Sequence, residues 1–252
     1  MDFTNQVVLV TGASGGIGRA ISSAFAEAGA CVAMHYHNNY EKANSTLKSL
    51  PPGDHYIFQA DLSRSSEVQA LAEDVVNQLG SIDILVNNAG IFVQHQVPGV
   101  VYEQWQHSWS LLLETNLLGP ANLTFCVLEH MLARGGGKIV NISSRGAFRG
   151  EPSAPGYAAS KAGLNALSQS LAQALAPQNI FLYVGAPGFV QTEMAAEFLS
   201  GPDGESIRNQ SPLGRVALPE EVARTVVFLA SEDTDFLTGC IVDVNGASYL
   251  RS

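Results

Sequence analysis

The chain has 252 residues, of which 46% are hydrophobic and 14% charged, so it carries ample material for one large core. Its formal net charge of −10 argues against nucleic acid and anionic membrane surfaces as partners, and no apolar run approaches the ~20 residues that span a bilayer. Cys31, Cys126 and Cys240 are scattered, with no Cys-x-x-Cys and no clustered histidines, which points to reduced thiols in a cytoplasmic protein without a metal site.

The short polar start, residues 1–6, runs straight into a strand, so no signal peptide is expected. Residues 7–11 are an apolar run ending in Thr-Gly, as in a strand buried on both faces. Residues 17–28 carry helical periodicity and stop at Gly29, a natural C-cap. Strands follow over 31–35 and 55–58, then a helix over the polar run 63–79. A strand over 84–87 precedes a helix over about 105–131, and residues 138–142 return to the sheet. The rest reads as a long helix over about 157–176, a strand over 180–184, a helix over 219–231 and a last strand over 240–244. Such alternation predicts right-handed crossovers and a Rossmann-like α/β fold. This is a doubly wound parallel sheet of about seven strands, with helices on both faces, in a single domain over 1–252.

Two motifs carry chemistry. Thr11-Gly12-Ala13-Ser14-Gly15-Gly16-Ile17-Gly18 lies between the first strand and the first helix. Glycines there let the backbone turn sharply, and the free amides at a helix start favour an anion such as a dinucleotide phosphate. The spacing departs from Gly-x-Gly-x-x-Gly. Tyr157 and Lys161 stand four residues apart on one helix face, so an ammonium can sit beside a phenol. A phenol titrates near pH ~10 in model peptides, and a neighbouring cation lowers that value towards a range useful for proton transfer.

Thr-Gly-x-x-x-Gly-x-Gly, Asn-Asn-Ala-Gly at Asn87, Ser144, Tyr-x-x-x-Lys and Pro187-Gly188, in that order, resemble the classical short-chain dehydrogenases/reductases over nearly the whole chain. The resemblance implies a cofactor half over about 1–140 and a catalytic and substrate half over about 141–252. It implies that Gly12, Ser14, Gly15, Ile17 and Gly18 cradle a pyrophosphate, that Asp61 and Leu62 meet the adenine, and that Asn87, Ala89 and Gly90 lie beside the adenosine ribose. Pro187, Gly188, Val190 and Thr192 would close over the nicotinamide. Asn116, Ser144, Tyr157 and Lys161 would be the catalytic set, with Asn116 holding a relay water. Ser144 would donate to a developing oxyanion and Tyr157 would pass a proton, while Lys161 holds the ribose and lowers the tyrosine pKa.

Cofactor choice turns on Tyr36, His37 and Asn38 at the end of the second strand. No acid stands there to bind ribose hydroxyls and repel a phosphate, which favours NADP(H) over NAD(H). The cation usual in NADP-preferring relatives is missing, being Gly15 in the first turn and His37 after the second strand. The substrate expected is a small-molecule carbonyl or secondary alcohol. One alternative is a 3-oxoacyl-acyl-carrier-protein reductase, for which Arg134 and Lys138 are possible contacts while Gln178 departs from the arginine common in those enzymes. A catalytically silent NAD(P)-binding sensor is the alternative from another class. Residues 193–210 read as a lid whose apolar half is a short helix. Arg145, Phe148, Arg149 and Glu151 should line the cleft, and extra residues before Trp109 could shape the pocket. The resemblance also implies a homotetramer.

Overall fold

In the computed structural model, which describes residues 1–251, seven strands form one parallel sheet. They are β1 (Val7–Val10), β2 (Cys31–Tyr36), β3 (Tyr56–Gln59), β4 (Ile84–Asn87), β5 (Gly137–Ile142), β6 (Ile180–Pro187) and β7 (Ile241–Val244). Their order is β3-β2-β1-β4-β5-β6-β7, with Val8 of β1 aligned between Val32 of β2 and Ile84 of β4. β1 and β4 are buried along their whole length, so they read as near-continuous apolar runs.

The helices are α1 (Gly16–Glu27), α2 (Tyr40–Ser49), α3 (Ser65–Leu79), α4 (Tyr102–Leu113), α5 (Gly119–Arg134), α6 (Gly146–Arg149), α7 (Pro155–Leu175), α8 (Glu193–Ser200), α9 (Gly204–Asn209) and α10 (Pro219–Ala230). α1 packs on α10 over one face of the sheet, where Phe25, Val226 and Leu229 join Val8, Val10 and Tyr183. α3 packs on α5 over the other, where Leu71, Val75, Leu123 and Val127 meet Leu9, Leu85 and Leu182. The strand order reverses between β1 and β4, and the crevice beyond their C-terminal ends is where this architecture binds ligands.

Four departures from the sequence expectations bear on the site. α2 was not foreseen, because its sequence YEKANSTLKS buries only Ala43 and Thr46 and shows little apolar stripe. The helix expected over about 105–131 is two helices joined by a π-helical turn, Glu114–Leu118, that displaces the backbone at Asn116. β6 runs on to Pro187, because β7 pairs with Val184 through Pro187. Finally, the helical run Tyr102–Arg134 is long and apolar enough to cross a bilayer by length and composition, although no single apolar run suggested it. In the fold it is docked, α4 against α7 and α5 against α3, and leaves Leu118, Phe125 and Leu132 exposed at seven-residue spacing on one face.

Candidate active site

The glycine-rich turn leaves β1 at Thr11 and enters α1 at Gly16. Gly12 has φ +63°, and a Cβ there would lie 2.9 Å from Ala89 Cα; a Cβ on Gly18 would collide with the Gly12 carbonyl oxygen. The turn is therefore packed hard against the β4 loop, and only glycine fits. Thr11 Oγ1 accepts from the N–H groups of Asn88 and Ala89, both at 2.9 Å, while Asn88 Nδ2 donates to the Thr11 carbonyl at 2.8 Å. No side chain caps α1 and no acid stands in its first turn, so its leading N–H groups and dipole suit the phosphates of a dinucleotide.

Beneath the turn, His35 is 2% exposed; its Nδ1 accepts from Gly12 N at 3.1 Å and its Nε2 faces the Ala60 carbonyl at 3.0 Å. Accepting at Nδ1 makes Nε2 the donor, so the ring is neutral. Burial pushes its pKa down to about 4, which agrees with that tautomer.

Across the crevice, four of the expected side chains converge. Asn116 is fully buried in the π-helical turn; its Oδ1 accepts from Ile91 N at 2.9 Å, and its Nδ2 donates to Ile91 O at 3.0 Å and Ser160 Oγ at 3.2 Å. A Cβ on Gly90 would lie 3.2 Å from both Asn116 Oδ1 and Lys161 Nζ, so the two residues meet at this glycine. Ser144 follows β5, its Oγ accepting from Gly146 N at 3.0 Å. Tyr157 opens the first turns of α7, with Lys161 one turn further on.

The electrostatics differ from the sequence expectation. Burial raises the Tyr157 phenol above its ordinary value, neighbouring Ser144 pulls it down and the charge of Glu151 adds to the rise. Lys161 does not lower it: Nζ donates to the Ile142 carbonyl at 2.8 Å, and burial lowers the lysine itself to about 8. An aromatic cover helps to desolvate Tyr157. Phe92 meets Tyr157 edge-on with centroids 5.0 Å apart, and Phe198 of α8 meets Phe92 at 5.8 Å.

The remaining expected residues are spread along the crevice rim. Tyr36 is buried edge-on against Tyr40, whereas His37 and Asn38 are exposed and His37 Nε2 lies 3.7 Å from Asp61 Oδ2. Asp61 accepts from both Ser63 N and Oγ, and Leu62 is buried. The Asn87 side chain turns inward instead, donating to Asn141 Oδ1 at 2.8 Å and Thr124 Oγ1 at 3.2 Å. Pro187 O accepts from Arg145 N, Gly188 N donates to Val244 O, Val190 is buried beside Ala217, and Thr192 immediately precedes α8.

Three expectations about the rim are corrected. Arg145 is no cleft-edge cation: it is 3% exposed, bonds Ser248 Oγ and Gln210 Oε1, and stacks 5.2 Å from Phe189. Arg134 and Lys138 sit at the other end of the sheet from Ser144, paired with Asp83 and Asp235, so neither rims the cleft of its own subunit. The lid is two short helices, α8 and α9, where one was expected.

Sequence reasoning missed three supports. Thr11, Asn88 and His35 hold the turn, and His95 lies among the extra residues before Trp109. His95 is 2% exposed, stacks on Trp105 and Trp109, faces Val93 O through Nδ1 at 2.8 Å and accepts from Gly156 N at Nε2, 3.0 Å away. Gly156 immediately precedes Tyr157, so this ring anchors the start of α7. The only signal in sequence was a histidine close to two tryptophans.

Residues 6–203 match the family described as short chain dehydrogenase. The chain is 37% identical over 244 residues to the 3-oxoacyl-[acyl-carrier-protein] reductase of Staphylococcus aureus, covering 96% of this chain and 97% of that one. It is 35% identical over 248 residues to the enzyme of that name from Thermotoga maritima, covering 98% of each chain. It is 39% identical over 250 residues to an acetoacetyl-CoA reductase of Rhizobium meliloti, covering 97% of this chain and 99% of that one. With the parallel sheet and the glycine-rich turn in place, these matches make the chain a member of the short-chain dehydrogenase family, an NAD(P)-dependent oxidoreductase that interconverts a small-molecule carbonyl and its alcohol.

Proposed function

We propose that the protein reduces a ketone to a secondary alcohol with NADPH, using Ser144, Tyr157, Lys161 and Asn116. The observation that carries this reading is the Tyr157 phenol, set beside Ser144 and edge-on to Phe92. Bound reduced nicotinamide supplies the hydride. As negative charge builds on the substrate oxygen, Ser144 Oγ donates a hydrogen bond to it and Tyr157 Oη passes over its proton. A phenol is protonated at neutral pH, so Tyr157 can serve as the acid in the reductive direction. Lys161, steadied by the Ile142 carbonyl, would hold the ribose, and Asn116 fixes the loop at Ile91 that forms the floor of the site.

Residues of the first half would hold the cofactor: Gly12 to Gly18 at the pyrophosphate, and Tyr36, His37, Asp61 and Leu62 around the adenosine. NADP(H) is favoured because no acid stands at Tyr36. The cover of Phe92, Phe198 and Phe189 suits an apolar substrate over a polyol. That cover, with the names borne by the relatives, supports a second reading as a reductase of 3-oxoacyl thioesters. The exposed stripe of Leu118, Phe125 and Leu132 supports burial between copies, as in a cytoplasmic homotetramer.

Oxidation of NADPH and, separately, NADH against acetoacetyl thioesters, ketones, diketones and sugars tests the proposal. Turnover of ketones or thioesters with NADPH is expected. Saturable NADPH binding without turnover of any of these would overturn it in favour of a silent sensor.

A further inference from the structure

Lys42 and Thr46 lie four residues apart on one face of α2, and that face covers the glycine-rich turn. Thr46 Oγ1 donates to the Ser14 carbonyl at 3.1 Å. Lys42 lies so close over Gly15 that a Cβ there would come within 2.6 Å of both its Cε and its Nζ. Its ammonium thus occupies the space that a side chain at position 15 would take. Its backbone N–H donates to Asn39 Oδ1 at 2.9 Å, which places it in the first turn of α2, just beyond the end of β2.

The same ammonium reaches across to the lid. Lys42 Nζ meets Glu193 Oε2, at the first residue of α8, at 2.5 Å. The adjacent Thr192 is packed on the turn as well, its Cγ2 lying 3.2 Å from where a Cβ on Gly16 would be. The pair is accessible, with side chains 34% and 78% exposed.

In doubly wound dinucleotide folds the end of the second strand, beside the first turn, is where an added phosphate on the adenosine ribose is recognised, by a cation in place of an acid. We infer that Lys42 is that cation here, and that it exchanges Glu193 for the 2′-phosphate of NADP(H), releasing the start of α8 as it does so. The inference rests on the NADPH reading above and supplies the cation that is missing at Gly15. A phosphate monoester offers three acceptor oxygens and about −1.5 to −2 charge at pH 7, against one charge on a carboxylate. An accessible ion pair contributes little to stability, so the exchange costs little.

Calorimetric titration of 2′,5′-ADP and of 5′-AMP, which differ only in the 2′-phosphate, tests this on wild type, Lys42→Met and Glu193→Gln, with matched NADPH and NADH kinetics. Thermal unfolding of each variant establishes that it is folded. Lys42→Met should weaken 2′,5′-ADP at least about tenfold more than 5′-AMP. Glu193→Gln should tighten 2′,5′-ADP by removing its competitor. A wild type that prefers NADPH together with a Lys42→Met variant that loses both fragments equally, or neither, would overturn the role of Lys42 alone. A wild type that binds the two fragments equally and prefers NADH would overturn the NADPH reading itself.

Discussion

The two sides of the crevice are built differently. On the carbonyl side, Asn116 and Lys161 are buried and bonded to backbone atoms of Ile91 and Ile142, so their positions are fixed by the chain itself. On the adenosine side, His37, Lys42 and Glu193 are accessible and partnered by other side chains. Buried groups held by backbone are costly to disturb, whereas exposed ion pairs exchange partners readily. On the proposed function, chemistry would fall on the stiff side and cofactor recognition on the adaptable one.

The sharpest way to break this contrast is at Tyr157. Tyr157→Phe keeps the ring against Phe92 and removes only the acid, so kcat should fall by about 10²–10⁴-fold while the Kd of NADPH changes little. Stopped-flow turnover and fluorescence titration of the cofactor measure the two quantities; a variant keeping more than a few per cent of the rate removes Tyr157 from the chemistry. Asn116→Ala tests stiffness directly. It leaves the N–H and carbonyl of Ile91 without partners, and urea unfolding should show a loss of about 3 kcal/mol.

His35 is the adenosine side's exception, a buried group beneath an otherwise accessible surface. Its folded pKa of about 4 lies below the ordinary 6.5, so the unfolded chain binds more protons between those values. Stability supplied by the neutral ring is therefore complete above pH 6.5 and is lost as pH falls through about 4, by up to about 3 kcal/mol. His35→Asn should be less stable than wild type at pH 7, and the gap in urea midpoint between them should narrow towards pH 4. A gap of constant size across that range would mean that the ring does not titrate alone.

Legibility in the sequence follows the same division. The buried strands announce themselves as apolar runs, and Tyr157 and Lys161 are legible as a pair because they stand four residues apart on one helix. Lys42 was invisible because α2 has almost no buried stripe and its partners, Gly15 and Glu193, are remote in the chain. Spacing also reports that a lysine is near Tyr157, but not that its ammonium is bonded to the Ile142 carbonyl or that Phe92 covers the phenol. The π-helical turn at Asn116 is likewise a product of packing, since α4 and α5 read as one periodic run.

His95 offers the finest test, because it belongs to the stiff side yet touches none of the reacting groups. Its Nε2 satisfies the Gly156 N–H, one of the unpaired donors at the start of α7, and its ring is wedged against two tryptophans. Removing it with His95→Ala should cost about 2–4 kcal/mol of stability. Turnover should fall as well, because a slight shift of the first turn of α7 carries Tyr157 with it. We expect kcat to drop about tenfold with KM nearly unchanged. Glutamine retains an acceptor for Gly156 and a donor for Val93, so His95→Gln should recover most of the rate. If alanine and glutamine variants fell equally in kcat, the ring would matter for packing alone; recovery by glutamine would assign its effect to the hydrogen bond that sets where Tyr157 stands.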